Sequence, residues 1–413
     1  MLNYKNNDPY IEGTSLHDLV KVCETPFYVY SQEKIINQVN KTKEILGNNI
    51  FYSIKSNSNQ AILKLMNSLD LGADVVSVGE LKRALEAGFN PNKIIFEGVG
   101  KSEQDLLYAM HKNIRLINTE SLEEIKLLDN LANEKNKIVD IGVRLNPDID
   151  GDTLSKISTG KKTDKFGIEF DNIDKIIELV KNCESINLIS ISCHIGSQIS
   201  KIEAYKNTFH QMRMAANKFV EAGINIKHVD LGGGFHVKYE NSDPDFNIEM
   251  VKEELDKCFT QTNYELSFEP GRYLIAEAGV TVTSIVTIKN NGGINYLIVD
   301  AGMNTLIRPA MYGAHHEISA INVNSDEFMD YAIAGPICES SDIFLKNIKL
   351  AKQKIGNLLV IKNTGAYGKV MSSNYNSRPL PSEILVNNDN YAIIYSPEKI
   401  EKTIEADIIP SWL

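Results

Sequence analysis

Seven short stretches of this 413-residue chain concentrate residue types that do chemistry. FYSIKSN places Lys55 directly after an alternating apolar run. An amine buried there loses charge by desolvation, becomes nucleophilic near neutral pH and can form a Schiff base with a carbonyl ligand. Taken alone, Lys55 reads first as a surface lysine that ends a strand. DLGGG (230–234) lets successive backbone N–H groups approach an anion without a Cβ in the way, although a tight turn is the commonest reason for such a run. EPGR supplies Glu269, Pro270, Gly271 and Arg272. Its Gly and Arg can complete the same anion site, and Glu269 can hold a ring nitrogen protonated or simply pair with Arg272. His194, in SCHIGSQ, offers a flat imidazole for stacking on a ring. No His, Asp or Glu stands four residues from it, so a metal pair is disfavoured, and a core histidine is the alternative.

Three more stretches lie further on. In DAGMNTLIRPAMYGAHHEI (300–318), Arg308 and Tyr312 can grip a carboxylate by a two-pronged fork and a hydroxyl. GPICESSD (335–342) puts Cys338 beside Glu339 in a turn bounded by Gly and Pro, as a proton donor or nucleophile requires; a small buried hydrophobe is the plainer reading of that cysteine. GAYGKVMSSNYN (365–376) carries Tyr367, which can reach a phosphate or merely shape a turn.

Something must bring these stretches together. Between residues 27 and 271, short β-branched runs alternate with amphipathic stretches of i, i+3, i+4 apolar spacing. Eight candidate strands end at Lys55, Ser77, Gly98, Asn118, Asn146, Gly196, Gly234 and Gly271. Eight parallel strands close a barrel of about 250 residues, and such barrels collect functional groups where the strands end. Those ends carry Lys55, Glu97, Asn118, Arg144, Asn146, His194, the three glycines, Glu269 and Arg272. An open doubly wound sheet is the competing arrangement, but no G-x-G-x-x-G follows the first strand. After Arg272 the texture turns to β-rich runs such as VTVTSIVTIKN and NLLVIKN. The expected fold is therefore α/β: a (β/α)8 TIM-type barrel over residues 26–272, then an all-β domain over 273–413 that the N-terminal segment 1–25 joins.

Composition narrows the partner. A net charge of −11 excludes a basic nucleic-acid footprint and leaves a small molecule as the expected ligand. The five cysteines are scattered without CxxC spacing, which points to a reducing compartment and no metal site. No run of about 18 apolar residues occurs, so the expectation is a soluble, cytoplasmic protein without a membrane partner.

In this order, Lys55, His194, the triple glycine, EPGR, CES and GAYG resemble the fold-type III pyridoxal 5'-phosphate (PLP) decarboxylases, nearly end to end from FYVY at 27 to NSRPLP at 376. VDAGMNTLIRPAMYGAHHEI resembles the diaminopimelate branch of that family more than its ornithine or arginine branches. The resemblance implies that Lys55 carries the cofactor and His194 stacks on it, and that Gly234, Glu269, Pro270, Gly271, Arg272 and Tyr367 complete its site. It also implies that Arg272, Arg308, Tyr312, Glu339 and Tyr367 hold the substrate, and that Cys338 gives a proton. The implied reaction is decarboxylation of meso-2,6-diaminopimelate to L-lysine, in a homodimer whose cysteine loop serves the partner's site. Decarboxylation of ornithine, arginine or carboxynorspermidine, and a non-catalytic relative, are the alternatives; an amino-acid racemase fits the CES and DAGMN runs poorly. Three places depart from the family pattern: Leu154 stands where a histidine is common, Phe235 and His236 where Leu-Gly is usual, and Val78 where a glycine is.

Overall fold

The computed structural model describes residues 2–5, 8–149, 164–321 and 325–413. Within it the chain forms two compact units, Val39–Val237 with Pro244–Tyr273, and Met1–Gln38 with Lys238–Asp243 and Leu274–Leu413.

In the first unit the eight expected strands are all present: β1 (Phe51–Ser53), β2 (Gly72–Val75), β3 (Ile94–Phe96), β4 (Leu116–Thr119), β5 (Val139–Asn146), β6 (Ile186–Ser192), β7 (His228–Asp230) and β8 (Glu265–Ser267). They pair in sequence order, all parallel. The edges meet where Ile50 bridges Phe268, with Phe51 N donating to Phe268 O at 2.9 Å and Ser53 N to Pro270 O at 3.3 Å. Amphipathic helices cover the strands, and polar side chains start several of them. Ser77 caps Val78–Glu86, and Ser102 and Asp105 form a capping box on Glu103–Lys112. Several strands end earlier than expected, although β4 runs on to Thr119 and β5 ends at Asn146. β1 stops at Ser53, and Lys55 lies in the single 3-10 turn Ile54–Ser56 that follows.

Strand alternation divides the barrel interior into two levels. Phe51, Ile95 and Leu116 form an apolar cluster low in the barrel. Two residues on, the same strands present Ser53, Glu97 and Asn118, joined by Asp74, Arg144, Ser192 and Asp230, all buried. The sequence thus puts its hydrophobes at the N-terminal end and its charges at the C-terminal end.

The second unit holds a sheet in the order Ile343–Ala351, Phe328–Ala334, Ile294–Val299, Gly279–Asn291, Phe27–Ser31, Ser382–Asn387, Asn390–Tyr395; Leu358–Ile361 also pairs with Gly279–Asn291. The boundary expected at residue 26 falls elsewhere. Phe27–Ser31 pairs antiparallel with Gly279–Asn291 and parallel with Ser382–Asn387, so it belongs to this sheet. FYVYS is buried on both faces, and such a run reads alike for either kind of sheet. Ile11, Leu16 and Leu19 of the N-terminal segment pack with Phe27, Val280 and Ile384 in one core of this unit. Among the described residues, no helix is long and apolar enough to cross a membrane.

Candidate active site

The C-terminal mouth of the barrel gathers Lys55, His194, the glycine run and EPGR. Lys55 Nζ stands 3.4 Å from Asp74 Oδ2, an oxygen that also accepts from Ser53 Oγ at 2.7 Å. The lysine side chain is 39% exposed and the aspartate 1%, so the amine reaches the opening from a buried counter-charge. Asp74 is absent from the sequence expectations, because nothing in ADVVS marks a strand end before Ser77, whereas β2 ends at Val75.

Behind Lys55 lies a buried charge layer. Glu97 Oε1 accepts from Asn118 Nδ2 and, at 3.3 Å, from Ser192 Oγ. Arg144 Nη1 sits 3.1 Å from Glu120 Oε1 and 3.9 Å from Glu97 Oε2. Burial, opposed by Arg144 and helped by Glu120 and Asp74, pushes the Glu97 carboxyl up to about 7. Glu120 in turn accepts from the Gly98 and Gly167 amides at 3.0 and 2.9 Å.

His194 is half-buried just past β6, and Gly233 N donates to its Nδ1 at 3.3 Å. A donor on Nδ1 leaves the ring proton on Nε2. Burial first, then the Lys55 and Arg144 charges, hold its pKa well below the usual imidazole range, so it is a neutral, flat ring. The glycine run is tightly packed. Gly232 and Gly234 have φ of +67° and +80°, and a Cβ on Gly234 would overlap the Gly196 carbonyl oxygen. Asp230 anchors the turn, taking Gly232 N at 2.8 Å and Ser267 Oγ at 2.5 Å.

Glu269 is buried, and its Oε1 has no hydrogen-bond partner among the described residues. Burial, with Asp230, Asp74 and Glu97 nearby and Lys55 opposing them, raises its pKa well above the carboxylate range. An orphaned acceptor in that setting is costly unless a donor arrives. Gly271 approaches Ser53 and Ser56 so closely that a Cβ would lie 3.0 Å from each of their Cβ atoms. Arg272 Nε and Nη2 donate to Ser197 Oγ at 3.3 and 3.2 Å. Ser197 is a second residue absent from the sequence expectations, although it lies in SCHIGSQ three residues after His194.

The β-rich unit holds the remaining candidates. Arg308 and Tyr312 bracket the short helix Arg308–Tyr312. Arg308 is buried against His316 and Tyr239, and Tyr312 is half-buried. Cys338 is exposed, against the plainer expectation of a buried hydrophobe, whereas Cys23 and Cys193 are the buried ones. Its turn is held from beneath by Asp342, which accepts from Met303 N at 2.6 Å and Ile337 N at 2.7 Å. Cys338 N donates to Asn376 Oδ1 at 3.1 Å, and Tyr375 Oη donates to Glu339 Oε1. Tyr367 has φ +54° and lies two residues after Gly365, where a Cβ would overlap the Ile275 carbonyl oxygen.

Of the three departures, Phe235 fills an aromatic cluster with Tyr205, Phe246, Phe268 and Tyr273 at ring-centroid distances of 5.5 to 6.1 Å. Val78 opens a helix, and Leu154 lies outside the described residues.

An eight-stranded barrel with a lysine, a flat neutral histidine, a glycine loop and an orphaned carboxyl at one mouth, and a separate strand-rich unit, defines a class. The family described as "Pyridoxal-dependent decarboxylase, pyridoxal binding domain" matches residues 32–276. A diaminopimelate decarboxylase of Vibrio cholerae is 37% identical over 402 residues, 96% of each chain. The solved diaminopimelate decarboxylase from Helicobacter pylori complexed with L-lysine is 35% identical with a TM-score of 0.90, covering 94% of this chain and 98% of that one. The M. jannaschii enzyme in co-complex with L-lysine is 32% identical with a TM-score of 0.95, covering 100% and 99%. The chain belongs to the diaminopimelate decarboxylase family.

Proposed function

We propose that this protein decarboxylates meso-2,6-diaminopimelate to L-lysine and CO2 with pyridoxal 5'-phosphate, the last step of lysine biosynthesis. One observation carries the reading beyond family membership: the buried Glu269 Oε1 has no hydrogen-bond partner among the described residues, at the same barrel mouth as Lys55. A pyridine ring nitrogen bearing a proton is the donor that oxygen lacks, and its positive charge would return the raised carboxyl to its anionic form.

When bound, the cofactor supplies an electron sink for the pair released as CO2 departs. Lys55 would hold it covalently through the amine, with Asp74 and Ser53 steadying the side chain. His194 offers its neutral face to the ring. Gly234, Gly271 and Arg272, with Tyr367, would take the phosphate, and Pro270 would shape the turn that presents Gly271. Arg272, Arg308, Tyr312, Glu339 and Tyr367 would bind the far amino-acid end of the substrate, so that the other carboxylate is the one lost. Cys338 then delivers its Sγ proton to the α-carbon that CO2 leaves. Because Cys338 and Glu339 are exposed on their own chain, we infer a homodimer in which this loop of one protomer serves its partner.

Purified protein loaded with PLP and offered meso-diaminopimelate, ornithine or arginine separately tests the reading by CO2 release and product analysis. Lysine and CO2 from diaminopimelate alone is the expected result. Release from ornithine or arginine with none from diaminopimelate would overturn the substrate, and bound cofactor with no release from any would overturn catalysis.

A further inference from the structure

His316 is a buried polar group with no role so far, and it touches a proposed substrate residue. Arg308 is only 6% exposed, and its Nη1 lies 2.7 Å from Nε2 of His316, which is 1% exposed. The guanidinium carbon sits 4.5 Å from the centroid of the Tyr239 ring. His316 turns Nδ1 to the Lys362 backbone oxygen at 2.8 Å, and its ring meets Tyr239 edge to face at 5.1 Å and 81°. The helix Arg308–Tyr312 ends at Gly313 with φ +64°, and that left-handed turn brings the chain back so that residues eight apart touch.

The partners dictate the tautomer. A carbonyl oxygen only accepts, so Nδ1 carries the proton; a guanidinium only donates, so Nε2 presents its lone pair. Lys362 follows directly on the strand Leu358–Ile361, which gives the imidazole a rigid anchor.

We propose that His316 is a positioning residue for substrate binding: fixed as the Nδ1–H tautomer on the Lys362 carbonyl, it accepts from Arg308 and, with Tyr239 against the guanidinium face, sets the plane in which Arg308 meets the substrate's distal carboxylate. The inference rests on the reading of Arg308 as the carboxylate-binding arginine. Holding a long side chain in place before the ligand arrives removes rotamer freedom that binding would otherwise have to freeze.

The test compares His316→Asn, His316→Gln, Tyr239→Leu and Arg308→Met in the PLP-loaded full-length protein. Asparagine can keep a donor toward Lys362 but loses the acceptor for Arg308, whereas glutamine returns an acceptor at that reach. The Asn variant is expected to raise KM for diaminopimelate about 10-fold, and the inhibition constant of L-lysine by the same factor, with kcat within about 3-fold of the parent. Glutamine should restore both constants to within about 3-fold, and Tyr239→Leu should raise KM by roughly 3-fold. A purely structural histidine would lower cofactor loading and kcat together and leave the two binding constants uncorrelated. Unchanged constants in His316→Asn beside raised ones in Arg308→Met would overturn the positioning role. Unchanged constants in Arg308→Met would overturn the reading of Arg308 instead. Should the Asn variant fail to load cofactor, the other two variants decide: a Gln variant as impaired as Arg308→Met, or a Tyr239→Leu variant with unaltered KM, overturns the proposal.

Discussion

Single residues in this chain take their chemical character from what surrounds them. Cys338 has its amide tied to Asn376 and its side chain in the open, which suits a group that must hand a proton to a ligand rather than fill a core. Replacing Cys338 by Ala should leave cofactor absorbance intact and slow turnover by roughly 10²–10⁴-fold, the usual worth of a positioned proton-transfer group. Single-turnover kinetics would check it, and an unchanged rate would remove the cysteine from the mechanism. Glu97 makes a different kind of prediction. Its carboxyl is raised from 4.5 to about 7, chiefly by burial. The folded protein therefore binds this proton more tightly than the unfolded chain, and the associated stability is present below 4.5 and is lost as pH climbs through about 7. Glutamine imitates the protonated form and does not titrate. In cofactor-free protein, the melting temperature of Glu97→Gln should gain on the parent as pH rises from about 5 to about 8. A difference that stays constant with pH would show that Glu97 does not titrate in this window.

At the level of elements, strand ends and the glycines beneath them decide which side chains can stand side by side. The Asn118 amide that donates to Glu97 lies over β5 at Gly142, where any Cβ would overlap the Asn118 amide oxygen and stand 2.8 Å from Leu116 Cδ2. Gly142→Ala should displace that amide, leave Glu97 short of a donor and destabilise the barrel by about 1–3 kcal/mol. Chemical denaturation would measure the loss, and adding Asn118→Ala to the same chain should recover part of it. The eight strands were legible because their apolar runs recur between helices at regular intervals. Their ends were less so: Lys55 belongs to a 3-10 turn beyond β1, and no period in FYSIKSN distinguishes the last strand residue from the first turn residue.

For the molecule as a whole, the functional groups are divided between two units that the chain enters more than once. Residues 27–31 lie in the β sheet although the barrel follows them, and residues 238–243 return to the same unit in the middle of the barrel sequence. A homodimer with shared sites predicts a complementation that a self-sufficient monomer does not. Lys55→Ala and Cys338→Ala proteins, each inactive or nearly so, should on mixing and subunit exchange recover up to about a quarter of parental activity, since half of the chains pair with the other variant and each such pair rebuilds one intact site. Mixed samples that remain at the sum of the two variants would overturn the shared-site arrangement.

By itself the sequence determined the barrel, the strand-rich second unit and the short motifs, because hydrophobic period, glycine runs and residue type are local properties of the chain. It also pointed to Lys55, His194, Glu269, Arg308 and Cys338 from their neighbours in sequence. Only the tertiary structure could bring in Asp74 as the partner of Lys55, Ser197 as that of Arg272, and Tyr239 and His316 as those of Arg308. Only it could expose Cys338, raise Glu97 and Glu269, and move residues 27–31 from the barrel to the sheet. Pairing, burial and pKa depend on groups far apart along the chain, and no spacing rule within one segment encodes them.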